Sequence, residues 1–128
     1  MTIRRRLDWA DTDAAGYWHH STFWKYAEAG EAELMRALGL TSLTFGSTPR
    51  RSVTAEFVRP IYFDDEVTID FAVERLGRTS ATYRIVLSVD DEEVATGSMT
   101  VVLTGPDGSP APWSDAARTA LVPPNGPS

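Results

Sequence analysis

From Ser21 to Leu38 the apolar positions Phe23, Ala27, Gly30, Leu34 and Leu38 recur three or four residues apart, with Lys25, Glu28, Glu31 and Glu33 falling largely elsewhere. That period predicts an amphipathic helix. Ser21 or Thr22 is placed to cap its start, and Gly39 follows Leu38 where a C′ glycine belongs. Ala27 and Gly30 have almost no side chain, so a neighbouring element can come close to the helix axis. After Pro49 the period changes to two. Val53, Ala55 and Phe57 alternate with Thr54 and Glu56, and Val67, Ile69, Phe71 and Val73 alternate with Thr68, Asp70 and Glu74. Ala81, Tyr83, Ile85, Leu87 and Val89 mark a third strand, and Val94 to Leu103 a fourth. Thr2 to Trp9 reads as one more. Leu76-Gly77-Arg78 and the polar turn Asp90-Asp91-Glu92-Glu93 join consecutive strands into an antiparallel meander.

Two-faced alternation means that one side of this sheet is buried and the other partly solvated, and only the Ser21–Leu38 helix is long and apolar enough to cover it. The predicted class is α+β, one long helix wrapped by an antiparallel sheet over residues 1–104. From Gly105 the run Gly105-Pro106-Asp107-Gly108-Ser109-Pro110, followed by Pro112, Pro123, Pro124 and Pro127, breaks every period. Residues 105–128 read as a loosely attached tail.

Composition narrows the chemistry. The 128 residues contain no Cys, which excludes a disulfide framework, a Cys nucleophile and thiolate metal sites. Twelve Lys+Arg against 18 Asp+Glu leave a net charge of −6, which disfavours broad nucleic-acid binding. Arg4, Arg5 and Arg6 pass straight to Leu7, Asp8 and Trp9 with no apolar stretch of the signal-peptide kind, and no run approaches a membrane span. A cytoplasmic location is the default expectation.

The informative segment is Asp11-Thr12-Asp13-Ala14-Ala15-Gly16-Tyr17-Trp18-His19-His20-Ser21, between the first strand and the helix. Free N–H groups and the positive end of the helix dipole at such a junction suit an anion or a developing oxyanion. A carboxylate beside it supplies a base or nucleophile, and a His supplies a second polar group. Asp13, Gly16 and His20 offer those parts, although Asp-rich turns before helices also arise simply to accept local N–H bonds. The His19-His20 pair lacks the i, i+4 spacing of zinc helices, so no metal site is expected.

Trp9-Ala10-Asp11-Thr12-Asp13-Ala14-Ala15-Gly16, followed by His20, Phe23 and Glu28, resembles the opening motif of hotdog-fold acyl-CoA thioesterases of the 4-hydroxybenzoyl-CoA thioesterase type. The resemblance continues through Phe57-Val58-Arg59-Pro60-Ile61-Tyr62-Phe63-Asp64-Asp65 and Leu76-Gly77-Arg78-Thr79-Ser80, covering most of Ile3 to Leu103. It implies that Asp13 is the catalytic carboxylate, that the His20 N–H polarises the thioester carbonyl, and that Asp11 is a turn former. Gly16, Tyr17 and His19 are implied to position substrate or shape the oxyanion site. Trp18 fits either a pocket wall or plain core packing. Glu28 is either a supporting acid or a solvated charge.

The resemblance also implies a homodimer or tetramer with active sites at the interface, and no cofactor. For the phosphates of coenzyme A, Arg75 and Arg78 beside the Leu76-Gly77 turn are the expected cations, with Arg50, Arg51 and Arg59 as a second patch. Three other functions compete: hydrolysis of carrier-protein thioesters, hydration or dehydration on the same fold, and binding of acyl thioesters without catalysis.

Overall fold

The computed structural model describes residues 1–44 and 46–122; Pro123, Pro124 and Pro127 of the expected tail lie outside them. In chain order the elements are β1 (Thr2–Arg6), α1 (Thr22–Leu38), the short α2 (Thr41–Thr44), β2 (Arg50–Phe57), β3 (Glu66–Leu76), β4 (Ser80–Val89), β5 (Glu92–Val102) and α3 (Asp115–Ala120). The strands form one sheet in the order β1-β3-β4-β5-β2, and every pairing is antiparallel. The expected meander is β3-β4-β5. Asp90 and Asp91 alone make its second turn, both with positive φ, so Glu92 and Glu93 join β5.

Period-two alternation sends Val67, Ile69, Phe71 and Val73 of β3 and Ala81, Tyr83, Ile85, Leu87 and Val89 of β4 to one buried face. Each such large side chain contributes about 1.5–3 kcal/mol by leaving water. Helix α1 lies across that face. Phe71, Ile85 and Gly97 occupy one row across three strands; Gly30 rests on the Phe71 end and Phe23 on the Gly97 end. A Cβ on Gly30 would sit 2.8 Å from the Phe71 Cβ, so the close approach anticipated for this face needs glycine there. Gly39 ends the helix as predicted, in the left-handed region with its N–H on the Arg36 and Met35 carbonyls.

Several expectations are corrected. Leu34 and Leu38 are only half-buried, and the stripe that packs down runs through Phe23, Tyr26, Ala27, Gly30, Glu31 and Met35. Glu31, placed by pattern on the polar side, is 2% exposed and holds Arg50 through two hydrogen bonds of 2.6 and 3.0 Å. A bidentate guanidinium partner offsets part of the cost of taking such a carboxylate out of water. Strand β1 stops at Arg6, because a 3-10 turn over Trp9–Asp11 lifts the chain off the sheet edge and leaves Trp9 exposed. On β2 the alternating residues Val53 and Phe57 remain 46% and 47% exposed. This strand pairs only with β5 and forms the sheet's edge.

The tail is not loose through Leu121. Trp113, Ala117 and Leu121 are buried in the core cluster. Ser114 caps α3 through the Ala117 N–H, the Trp113 indole donates to the Ser80 carbonyl, and Arg118 donates to the Gly77 carbonyl. Proline breaks the period of this segment without preventing it from docking across the β3–β4 turn.

Candidate active site

The Asp11–Ser21 connection folds as a tight loop on its own backbone bonds. The Gly16 N–H donates to the Asp13 carbonyl, the Asp13 N–H to the Tyr17 carbonyl, and the Ala15 N–H to Asp13 Oδ1 at 2.8 Å. Gly16 closes the turn at φ +87°, a conformation that other residues adopt only with strain. The His19 N–H closes the loop on the Asp11 carbonyl, and the Trp18 N–H ties it to the Ile61 carbonyl, both at 2.8 Å.

Ser21 does not cap the helix. Its backbone is already helical, and its hydroxyl bonds His19 Nδ1 at 2.8 Å instead. The Ser21 N–H also points at Nδ1, which makes that nitrogen an acceptor and puts the ring proton on Nε2. The first helical donors are occupied too: Thr22, Phe23 and Trp24 N–H groups bond the carbonyls of His19, His20 and Ser21. Tight turns thus consume the donors expected to be free at the helix start. Among the described residues the His20 N–H, two positions before α1, has no acceptor.

The two aspartates of the loop live differently. Asp11 is buried, pairs with Lys25 Nζ at 2.8 Å, and offers its carbonyl to His19 N–H and the Thr22 hydroxyl. Beneath it, burial pushes the Tyr26 phenol up to about 12, helped by the negative charges of Asp11 and Asp8. Asp13 is exposed, and only Oδ1 has a partner among the described residues.

Asp13 and His20 face a common open cleft of about 360 Å³, walled by Tyr17, Trp18, Phe57, Val58, Arg59 and Pro60. Trp18 is buried and meets Phe57 edge-on at 5.5 Å, so it serves as both core and wall. His19 does not line the cleft; it stacks on the His20 ring with centroids 4.3 Å apart. Glu28 is not brought to Asp13. It lies with Trp24, Arg50, Val53 and Met99 around a separate pocket of about 210 Å³.

Nor does one chain bring Arg75 and Arg78 to this cleft. Their turn sits where Ser80 pairs with Val102, whereas the cleft sits where Phe57 pairs with Ala95. Those positions on β5 are seven residues apart, roughly 23 Å at about 3.3 Å per residue. Arg59 is the cation in the cleft wall. The adjacent apolar pair Phe57-Val58 breaks the alternation of β2, so one of the two had to face outward; that signal could have marked this wall from sequence.

Among the described residues no cluster of metal-ligating side chains occurs, and no helix is long and apolar enough to cross a membrane. Residues 15–96 match a family model described as the Thioesterase superfamily. A protein of Aquifex aeolicus (strain VF5), named as a provisional esterase, is 28% identical over 96 residues, 72% of this chain and 75% of its own length. A thioesterase complexed with coenzyme A and Zn from Thermus thermophilus superposes with TM-score 0.87 at 24% identity, covering 94% of this chain and 90% of that one. A 1,4-dihydroxy-2-naphthoyl-CoA thioesterase from Synechocystis gives TM-score 0.82 at 18% identity, covering 94% and 93%. These structural likenesses establish the hotdog fold for the arrangement of α1 on the five strands.

Proposed function

Because the chain belongs to the thioesterase superfamily and is a thioester hydrolase, we propose that it cleaves acyl-CoA thioesters with Asp13 as the catalytic carboxylate and the His20 N–H as carbonyl donor. The observation that carries this reading is that Asp13, with an exposed carboxylate, and His20, whose backbone N–H has no acceptor among the described residues, line one cleft with aromatic and apolar side chains. A carbonyl oxygen held on the His20 N–H gains stabilisation as charge develops on it. Asp13 then acts in one of two ways. Its carboxylate attacks the carbonyl carbon and expels the thiolate, leaving a mixed anhydride that water opens, or it takes a proton from water as that water attacks.

The other loop residues support these two. Gly16 sets the turn that presents Asp13, Tyr17 walls the cleft, and His19 braces the His20 ring. The acid placed before the helix follows the 4-hydroxybenzoyl-CoA thioesterase type, and neighbours described as a 1,4-dihydroxy-2-naphthoyl-CoA thioesterase or as complexed with coenzyme A support the carrier. A second copy of the chain joined along the open edge of β2 would cover Val53 and Phe57, and it offers a route by which Arg75 and Arg78 could serve a cleft they do not reach in their own chain. Sedimentation of an active monomer would remove that part.

The test is thiol release from a panel of aromatic, short and long acyl-CoAs. Asp13→Asn keeps the shape and removes the charge, so kcat falls by roughly two to four orders of magnitude with folding intact. Trapping by hydroxylamine and solvent oxygen in the Asp13 carboxylate after turnover identify the nucleophilic route; their absence identifies the general base. Wild-type turnover by Asp13→Asn would overturn the assignment.

A further inference from the structure

Among the described residues Arg59 is the one charged group of the cleft wall opposite in sign to Asp13, and the catalytic reading above does not use it. Its side chain is 31% exposed. Nε donates to Glu92 Oε1 at 3.3 Å and Nη1 to the Pro60 carbonyl at 3.1 Å, while Nη2 has no acceptor among the described residues. Glu92 begins β5 beyond the Asp90-Asp91 turn and is 63% exposed. A single long bond to so solvated a partner ties the guanidinium only weakly to Glu92, and its other bond, to the Pro60 carbonyl, is made within the cleft wall. The Glu31–Arg50 pair, bidentate and with its carboxylate buried, has no such freedom.

We propose that Arg59 is a specificity-determining residue that leaves Glu92 to bind an anionic group carried on the acyl part of the substrate, a carboxylate above all. This role rests on the thioesterase reading, and two physical points support it. The first is reach. The pantetheine arm puts about four residues' worth of chain, roughly 14 Å, between sulfur and the first phosphate, whereas a 360 Å³ cleft taken as a sphere is only about 9 Å across. A cation sharing that cleft with Asp13 is therefore placed for the acyl group rather than for the phosphates of the same molecule. The second is charge. An anionic acyl group entering beside the Asp13 carboxylate meets a like charge, and a planar guanidinium that can offer two parallel N–H donors compensates it. The apolar walls from Trp18, Phe57, Val58 and Pro60 take the rest of the acyl body.

The experiment compares glutaryl-CoA with pentanoyl-CoA, which have equal acyl length and identical phosphates. Arg59→Gln is expected to lower kcat/KM for glutaryl-CoA about tenfold or more relative to pentanoyl-CoA, and Arg59→Lys to recover part of the loss. Glu92→Gln, by freeing the guanidinium, is expected to raise the glutaryl preference about threefold. A merely structural ion pair would respond alike to loss of either partner, so opposite signs distinguish the two roles. An equal fall for both substrates, or no change in their ratio, overturns the proposal. The same variants are titrated calorimetrically with the thioether analogue S-(4-carboxybutyl)-CoA. If the wild type hydrolyses no thioester, the functional reading fails, while loss of thioether affinity in Arg59→Gln, set against S-pentyl-CoA, still decides the role of Arg59.

Discussion

The two ends of the sheet are built on opposite principles. At the β3–β4 turn the backbone is tied down: Gly77 N–H bonds Ser80, Leu103 N–H bonds Thr79, Trp113 N–H bonds Arg78, and the Trp113 and Arg118 side chains take the Ser80 and Gly77 carbonyls. The C-terminal segment closes this end and buries Trp113 and Leu121. At the other end the His20 N–H has no acceptor among the described residues, Asp13 is exposed, and Phe57 and Val58 stand partly in water. Stability is concentrated where groups are satisfied, and the groups left unsatisfied are where the proposed reaction is sited. Changes at one end should therefore alter folding, and changes at the other should alter turnover.

The largest effect after that of Asp13→Asn belongs to the closed end. Trp113→Ala removes a buried indole and its hydrogen bond, and is expected to destabilise by about 3–5 kcal/mol while the folded fraction keeps its kcat; denaturant unfolding beside active-site titration checks both. A matching loss of kcat per folded molecule would show that the ends are coupled. Between the ends, Gly30→Ala drives a Cβ into Phe71 and should destabilise by about 1–3 kcal/mol, even though alanine favours helix by up to about 1 kcal/mol. A more stable variant would mean that α1 can lift from β3 freely.

Gly16→Ala tests the open end. No atom lies within 4 Å of the added Cβ, so the penalty is the left-handed backbone alone, about 1–2 kcal/mol. The expected readout is a lower kcat as Asp13 is re-aimed, with a small shift in melting temperature. Asp11→Asn is the smallest. It weakens the pair with the exposed Lys25 and should change stability by at most about 1 kcal/mol, with kcat within threefold of wild type. A loss comparable to that of Asp13→Asn would move the catalytic role toward Asp11.

Much of this fold is set by local rules. The helix, the meander and the Gly39 terminus follow from residue spacing and backbone preference, because those act within a few positions of the chain. The proposed site residues Asp13, Gly16 and His20 group together for the same reason: loop and helix start are contiguous in sequence, so they are neighbours before any distant element packs against them. The expected N-cap fails because Ser21 has a nearer partner in His19, a choice between two local bonds that composition does not settle.

What only the tertiary structure decided concerns residues far apart in sequence. Glu31 is buried because Arg50 comes to it across the helix–sheet interface, and Arg59 rather than Arg78 stands beside Asp13 because strand register puts the β2 exit, not the β3–β4 turn, against the loop. The Pro-rich C-terminal segment docks because Trp113, Ala117 and Leu121 find an uncovered end of the core. Periodicity reports which face of an element is apolar; which distant surface meets that face depends on register, crossing direction and charge pairing, and these exist only once the chain is folded.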